Sequence, residues 1–357
     1  AAAGGEKRAM LLRQITEEGG FAFVASAEKA AAGDLRAAEA AREMAWEQLH
    51  SGPWSEVEPA WRHAYALACL HVASLRAGDD RRAALRELDM GLIMGGDLLR
   101  AELEAAIAQV PANGNREGEG DGAGDAGRNV ERWREGLSRN RDLGDALKVL
   151  PVKSLSCKQI ERQTCISLEA FIHDYFLRES PVILSGCIDH WPARTKWKDI
   201  KYLERIAGDR TIPVEIKELR EDIVVPEYCY AGGGKLQSLN AWFGPHGTVT
   251  PLHHDPHHNL FAQVLGRKYI RLYHASISED LYPHMETMLS NTSQVDLDNI
   301  DVKEFPRTED LEFMDNILEE GDLLYIPPKW WHYVRSLSTS FSVSFWWRTS
   351  ILPSQGS

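Results

Sequence analysis

The sequence has little cysteine, no long apolar run and no surplus of positive charge. Five cysteines (Cys69, Cys157, Cys165, Cys187 and Cys229) are spread over 357 residues. The number is odd and no pair has CxxC spacing. That excludes the disulfide framework of a small secreted domain and points to reduced thiols. No run reaches the roughly 18 apolar residues that a membrane span needs, so no membrane partner is expected. The chain opens Ala-Ala-Ala-Gly-Gly without a methionine and shows no basic-then-apolar leader. Lys and Arg number 40 against 53 Asp and Glu, a net charge of −13. Such a chain has no sequence-independent grip on phosphates, so direct nucleic-acid binding is not expected. The same balance is compatible with a basic peptide substrate.

What is present divides into two textures. Residues 6–110 are rich in Ala, Leu, Glu and Arg, which favour helix. Gly33-Asp34 opens one helix and Ser51-Gly52-Pro53 breaks it. Ser55-Glu56-Val57-Glu58 has the form of a capping box. After it, Trp61, Tyr65, Ala68, Cys69 and Val72 make an apolar stripe at helical spacing. Residues 1–110 are expected to form a helical bundle or repeat-like domain, although no fixed period shows. Residues 111–128 hold six glycines and four acids with no aromatic or β-branched residue, and read as a flexible linker. Residues 129–166 read as a connecting helix, about 130–147, and a loop.

From Ser167 a capped helix, a strand at 181–186, a helix at 199–206 and a strand at 211–216 are expected. Beyond Gly232-Gly233-Gly234 short strands take over, at 237–243, 249–254, 259–265, 268–273, 322–326, 332–335 and 340–347. Residues 276–318 read as a long excursion of loops and short helices. Many short strands with Gly and Pro turns predict a β-sandwich or barrel over 167–350. The fold class is α+β, an all-helical domain followed by a barrel with flanking helices.

Within that barrel stands His253-His254-Asp255. Side chains alternate along a strand, so His253 and Asp255 point the same way. They offer an imidazole and a carboxylate to one divalent metal. A third ligand is expected at His332, in Lys329-Trp-Trp-His-Tyr-Val. Two His and one carboxylate form the facial set of non-haem Fe(II) oxygenases. Each ligand cluster sits in a similar frame of turn glycine, strand and ligand: Gly247-x5-His253-x-Asp255, closing at Gly266, and Gly321-x5-Pro327-x4-His332. These frames resemble the two half-motifs of the cupin, or double-stranded β-helix, fold. Thr250, Asn259 and Lys268 stand nearby. Read singly, they are a strand Thr, a turn Asn and an exposed Lys.

The resemblance extends further. It is carried by Asn240-Ala-Trp-Phe-Gly-Pro, Gly247-Thr-Val-Thr-Pro-Leu-His-His-Asp-Pro, Gly266-Arg-Lys-Tyr-Ile-Arg-Leu-Tyr and Asn291-Thr-Ser-Gln-Val-Asp. Ile326-Pro-Pro-Lys-Trp-Trp-His-Tyr-Val-Arg and Ser342-Val-Ser-Phe-Trp-Trp complete it. Over about residues 150–348 the chain resembles the JmjC-domain protein five, or lysine demethylase eight, family in its plant form. The N-terminal helices resemble that family more loosely. The resemblance implies a JmjC double-stranded β-helix at 167–350 and an oxygenase that uses Fe(II), 2-oxoglutarate and O2. It implies that Thr250 and Lys268 hold the distal carboxylate of 2-oxoglutarate and that Asn259 helps at the metal-chelating end. It also implies that Trp242 and Trp346 flank the substrate, with Glu215 against a substrate arginine. The implied substrates are proteins or peptides, either a methyl-lysine on a histone tail, which is demethylated, or an arginine, which is hydroxylated. A nuclear location, with some cytoplasmic, follows from the same resemblance.

One departure stands out. In the family a long excursion separates the strand matching 211–216 from the segment matching Glu218-Leu-Arg-Glu-Asp-Ile. Here Ile216 runs almost directly into Lys217-Glu218. The excursion, absent from the protein or left out of the sequence as it stands, would carry a Tyr for 2-oxoglutarate and aromatics of the substrate cleft. The chain also stops soon after Trp347, without the C-terminal helices through which some relatives pair, so a monomer is expected. The contrasting reading is a chromatin- or protein-binding JmjC module without turnover.

Overall fold

A computed structural model describes residues 2–51, 56–110, 135–136, 144, 147–156, 158–208, 210, 217–285 and 289–349. The strand expected at 211–216, with Glu215 on it, lies outside these residues, as does nearly all of the helix expected at 130–147. By its contacts the chain forms two units. One holds residues 1–119 and 201–220, the other 120–200 and 221–357. Residues 201–208, 210 and 217–220 were expected in the barrel domain and group by their contacts with the helices. There Arg210 grips Asp89, a fully buried carboxylate, with Nη2 at 2.8 Å and Nε at 2.9 Å from Oδ1. A buried charge needs such a charge-assisted partner.

The helical unit contains α1 (Ala2–Glu17), α2 (Phe21–Ala31), α3 (Leu35–Leu49), α4 (Pro59–Arg76), α5 (Arg81–Met94) and α6 (Arg100–Gln109). Asp34 and Asp80 cap α3 and α5 by accepting from the amides of Ala37 and Ala83. Each such cap is worth about 1 kcal/mol. The expected capping box does not start α4. Glu58 is the N-cap and makes no side-chain bond, while Pro59 takes the first helical position. Proline presets the helical φ there and loses no hydrogen bond. Ser55 lies outside the described residues. On α4, Tyr65, Ala68, Cys69 and Val72 are buried as the stripe predicts, and Trp61 is half-buried with its ring edge-on to Phe23. Buried alanines on α3 and α4 (Ala41, Ala45, Ala64, Ala68) let the helices pack closely.

The second unit is built from two sheets. The strands are β1 (Lys158–Gln159), β2 (Arg162–Thr164), β3 (Val182–Ser185), β4 (Lys235–Gly244), β5 (Val249–His254) and β6 (His258–Leu265). They continue with β7 (Lys268–Tyr273), β8 (Met314–Leu318), β9 (Leu323–Ile326), β10 (Trp331–Ser336) and β11 (Ser340–Arg348). One sheet has the order β1-β8-β7-β10-β5, the other β2-β3-β9-β6-β11-β4. Three strands go beyond expectation. β1 and β2 fall in the supposed connecting piece, and β8 closes the supposed excursion. Ser167 caps the next helix as expected, accepting from Ala170 N at 3.1 Å.

Ile183, Phe261, Leu324 and Ile326 of one sheet pack against Ile270, Leu272, Leu318 and Val334 of the other. That core is the barrel interior. On the outer face of the five-stranded sheet, Leu252, Tyr269, Trp331 and Tyr333 pack under Leu281, Val295, Leu297 and Phe313. Adjacent residues on β10 thus serve opposite cores, Val334 inside and Trp331 and Tyr333 outside, as a pleated strand requires.

Candidate metal centre and co-substrate pocket

β10 pairs antiparallel with β5, and the register sets His332 directly opposite His253. Opposed residues on neighbouring strands share a face, with Cβ atoms about 5 Å apart. This pairing brings the downstream histidine to the upstream motif. The two imidazole centroids are 4.1 Å apart. Asp255, one residue past the end of β5, turns its carboxylate to the same point, with Oδ2 3.5 Å from His332 Nε2. One ligand atom from each of the three residues lies within 4.8 Å of the others.

The tautomers suit a metal. His253 Nδ1 is 2.8 Å from the Pro251 carbonyl, and His332 Nδ1 is 3.0 Å from the Trp330 carbonyl. A carbonyl only accepts, so each Nδ1 carries the proton and each Nε2 presents a lone pair to the centre. Burial, reinforced by neighbouring His332, pushes His253 down to about 4, so it is neutral at physiological pH. Burial alone would push the Asp255 carboxyl up, but the facing imidazoles, His332 foremost, outweigh it and keep the carboxyl below its usual range. Two imidazoles and one carboxylate are the donor set that a divalent iron takes, with open positions left over.

Three residues were expected around the co-substrate. Period-two counting from His253 puts Thr250 on the wrong face of β5. The structure corrects this with a bulge: His253 pairs with His332 but Thr250 pairs with Val334, so β5 spends one more residue than β10 over that stretch. The extra residue returns Thr250 to the inner face. On the other side of β10, Ser336 opposes Lys268 and His332 opposes Leu272, so Lys268 shares the face of His332 about 13 Å along the strand. Lys268 is buried, not exposed, and burial drives its ammonium down to about 7. Among the described residues its only polar contact is the Phe261 ring, 5.2 Å from Nζ. Asn259 reaches the interior from β6, and its buried Oδ1 has no hydrogen-bond partner. A buried cation and an orphaned buried amide oxygen both ask for a polar partner. A dicarboxylate with a neighbouring metal supplies one, so the residues fit the group.

Trp242 and Trp346 project from β4 and β11 on the inner face, since they pair with Ser342 and Asn259. Trp242 is 46% exposed and donates from Nε1 to Ser344 Oγ at 2.9 Å. Trp346 Nε1 is buried without a partner. Sequence reasoning missed the polar row that includes Ser344. Ser340, Ser342 and Ser344 alternate with apolar residues along β11, and that alternation was the available signal. Ser336 meets Ser340 at 3.1 Å, and Ser342 donates to Gln263 Oε1 at 2.8 Å.

A double-stranded β-helix with this donor set on its inner wall defines a cupin-type oxygenase of the JmjC class. Family models agree. KDM8-like N-terminal ARM repeats match residues 1–123, and the cupin-like domain matches residues 167–224 and 213–352. Lysine-specific demethylase JMJ30 of Arabidopsis thaliana is 50% identical over 94% of this chain and 91% of its own length. Lysine-specific demethylase 8 of Xenopus tropicalis is 34% identical over 85% of this chain and 86% of its own, and that of Danio rerio is 36% identical over 85% of each. The chain belongs to the KDM8-like family of JmjC proteins. The alignment to the Arabidopsis relative runs to 394 positions, more than the 357 residues here. The relative therefore has residues with no counterpart in this chain. The cupin match breaks into two stretches around 213–224, where the family excursion was expected.

Proposed function

We propose that this chain oxidises a side chain of a protein, with methyl-lysine as the substrate class, using Fe(II), 2-oxoglutarate and O2. The observation that carries the reading is the convergence of His253, Asp255 and His332 on one point of the inner wall that also holds Lys268. Relatives over most of the chain carry the name lysine-specific demethylase. The acidic balance of the chain favours a basic peptide.

His253, Asp255 and His332 would hold the iron, which when bound supplies the oxidation that couples decarboxylation of 2-oxoglutarate to hydroxylation of a C–H bond. The rest is positioning. The Pro251 and Trp330 carbonyls fix which nitrogen each imidazole presents. Lys268 and Thr250 would take the distal carboxylate through charge-assisted and neutral hydrogen bonds. Asn259 would help at the chelating end. Phe261, Trp330 and Val334 wall the pocket with apolar surface and exclude water. Trp242, half exposed on the inner face, would offer an aromatic face to a cationic side chain.

Arginine hydroxylation is the second reading. It rests on Glu215, a carboxylate suited to a guanidinium, which lies outside the described residues. Mass spectrometry of methyl-lysine and arginine peptides treated with the iron-loaded chain separates the two. Loss of a methyl group with succinate formed supports demethylation, and gain of one oxygen on arginine supports the second reading. No succinate under any peptide would leave a binding module without turnover.

A further inference from the structure

Asp255 is the one metal-ligating candidate that stands outside the strand ladder, because β5 ends at His254. Something else must place it. On the edge of β5 away from β10, residues 291–293 run antiparallel as a short strap, bridging His253 with Thr292. The His254 amide donates to the Asn291 carbonyl at 2.9 Å, and the Ser293 amide donates to the Leu252 carbonyl at 2.9 Å. The ladder would stop there, but the Asn291 side chain continues it, donating from Nδ2 to the His254 carbonyl at 3.0 Å. That carbonyl belongs to the peptide leading into Asp255. The Asp255 carbonyl, in the following peptide, accepts from Lys329 N at 2.8 Å. Pro256 narrows Asp255 further, since a residue before proline is confined to extended conformations. The strap is itself anchored: Ser293 Oγ donates to the Leu281 carbonyl at 2.6 Å and accepts from Val295 N at 3.0 Å.

We propose that Asn291 is a positioning residue for the metal centre, gripping both polar backbone atoms of His254 and thereby aiming the Asp255 carboxylate. This rests on the reading of His253, Asp255 and His332 as metal ligands. The side-chain half of the grip removes one degree of freedom, the tilt of the peptide plane between residues 254 and 255. Without it the Asp255 backbone keeps the Lys329 amide on its far side and loses its hold on the near one. A metal centre needs its donors placed to a fraction of an ångström, and outer supports of this kind change metal affinity about 10–100-fold.

The test is titration of the metal-free full chain with Co(II), followed by visible absorption. Asn291→Ala is expected to weaken Co(II) binding about tenfold or more and to alter the shape of the absorption band. Its urea midpoint without metal should stay close to that of the parent. Gln294→Ala is the control. It removes a bond from the residue after the strap to the Pro283 carbonyl, at 3.1 Å, that does not touch β5, and should bind Co(II) like the parent. An Asn291→Ala chain that binds within about twofold of the parent overturns the proposal, and so does equal weakening in Gln294→Ala. If Asn291→Ala does not fold, Asn291→Asp keeps the shape, removes the donor and must show the same weakening. Failure of both to fold makes the residue structural and the proposal falls. A folded parent chain that takes up no Co(II) would instead overturn the metal reading itself.

Discussion

Replacing Lys268 with methionine should make the ligand-free protein more stable, and the gain should fade as pH rises. The Lys268 ammonium is held near 7 against an ordinary 10.5, and burial is the cause. Each unit is about 1.36 kcal/mol, so keeping the charge inside the folded barrel at about pH 6 costs on the order of 4–5 kcal/mol. The Phe261 ring returns about 1 kcal/mol, which leaves roughly 3–4 kcal/mol by the same reckoning. The sign follows from proton counting. Between about 7 and 10.5 the unfolded chain holds a proton that the folded one has lost, so parent stability climbs with pH across that window and is flat below it. Lys268→Met has a similar volume and no charge. Urea unfolding at about pH 6 should show the variant ahead by roughly 3–4 kcal/mol, shrinking to about 1 kcal/mol near pH 9.5. Added 2-oxoglutarate should raise the parent's midpoint and leave the variant's unchanged, because only the parent gains a counter-ion for its cation. A variant less stable than the parent by the same amount at both pH values would refute the argument. It would mean that the lysine is solvated or paired and that its charge costs nothing.

Two further outcomes follow from the same contacts. His258 is buried between the Phe176 and Trp347 rings, 4.7 and 5.1 Å away, with Nδ1 2.9 Å from the Tyr325 hydroxyl, and burial pushes it down to about 4. The unfolded chain takes up that proton near 6.5, so this histidine should withdraw about 3 kcal/mol of stability as pH falls from 6.5 to 4; an NMR midpoint near 6.5 for its ring would contradict this. Trp331 is fully buried in the outer core, with Nε1 donating to Ser278 Oγ at 2.8 Å. Trp331→Ala should cost about 3–5 kcal/mol in urea unfolding, and a loss under about 1 kcal/mol would show that the segment over it bears no load.

Legibility in the sequence tracked how far local pattern and global pairing agree. β5 and β7 stand where their residues predict them, because Val, Ile, Leu and Tyr mark a pleated surface buried on at least one side. β8 was hidden because Met314-Asp-Asn-Ile-Leu places two polar residues together. Both are engaged by the chain around 155–160: Asp315 Oδ2 accepts from Leu155 N and Asn316 Oδ1 from Ile160 N, at 2.8 and 2.7 Å. That reason for their presence exists only once distant segments meet. β1 and β2, two and three residues long, are too short to show any period. The metal set was readable because two of its members stand two residues apart, at and just past the end of β5, and the third lies in a repeat of the same glycine-strand frame. Thr250 was placed by resemblance and not by parity, since a bulge is a property of two strands together. The polar spine on β11 was in plain view as alternating serines. Its reason, a hydrogen-bond partner for Trp242, was not.

The opposition of His253 and His332 has a consequence for how the molecule is loaded. Synthesis delivers β5 long before β10, so an emerging chain owns at most two of three donors. Iron captured at that stage would be held loosely and exchanged. Tight retention would begin only when β10 zips in between β5 and β7. Filling of the metal site would then report on completed folding, since a slip of one residue in that zipper would turn His332 to the other face of the sheet.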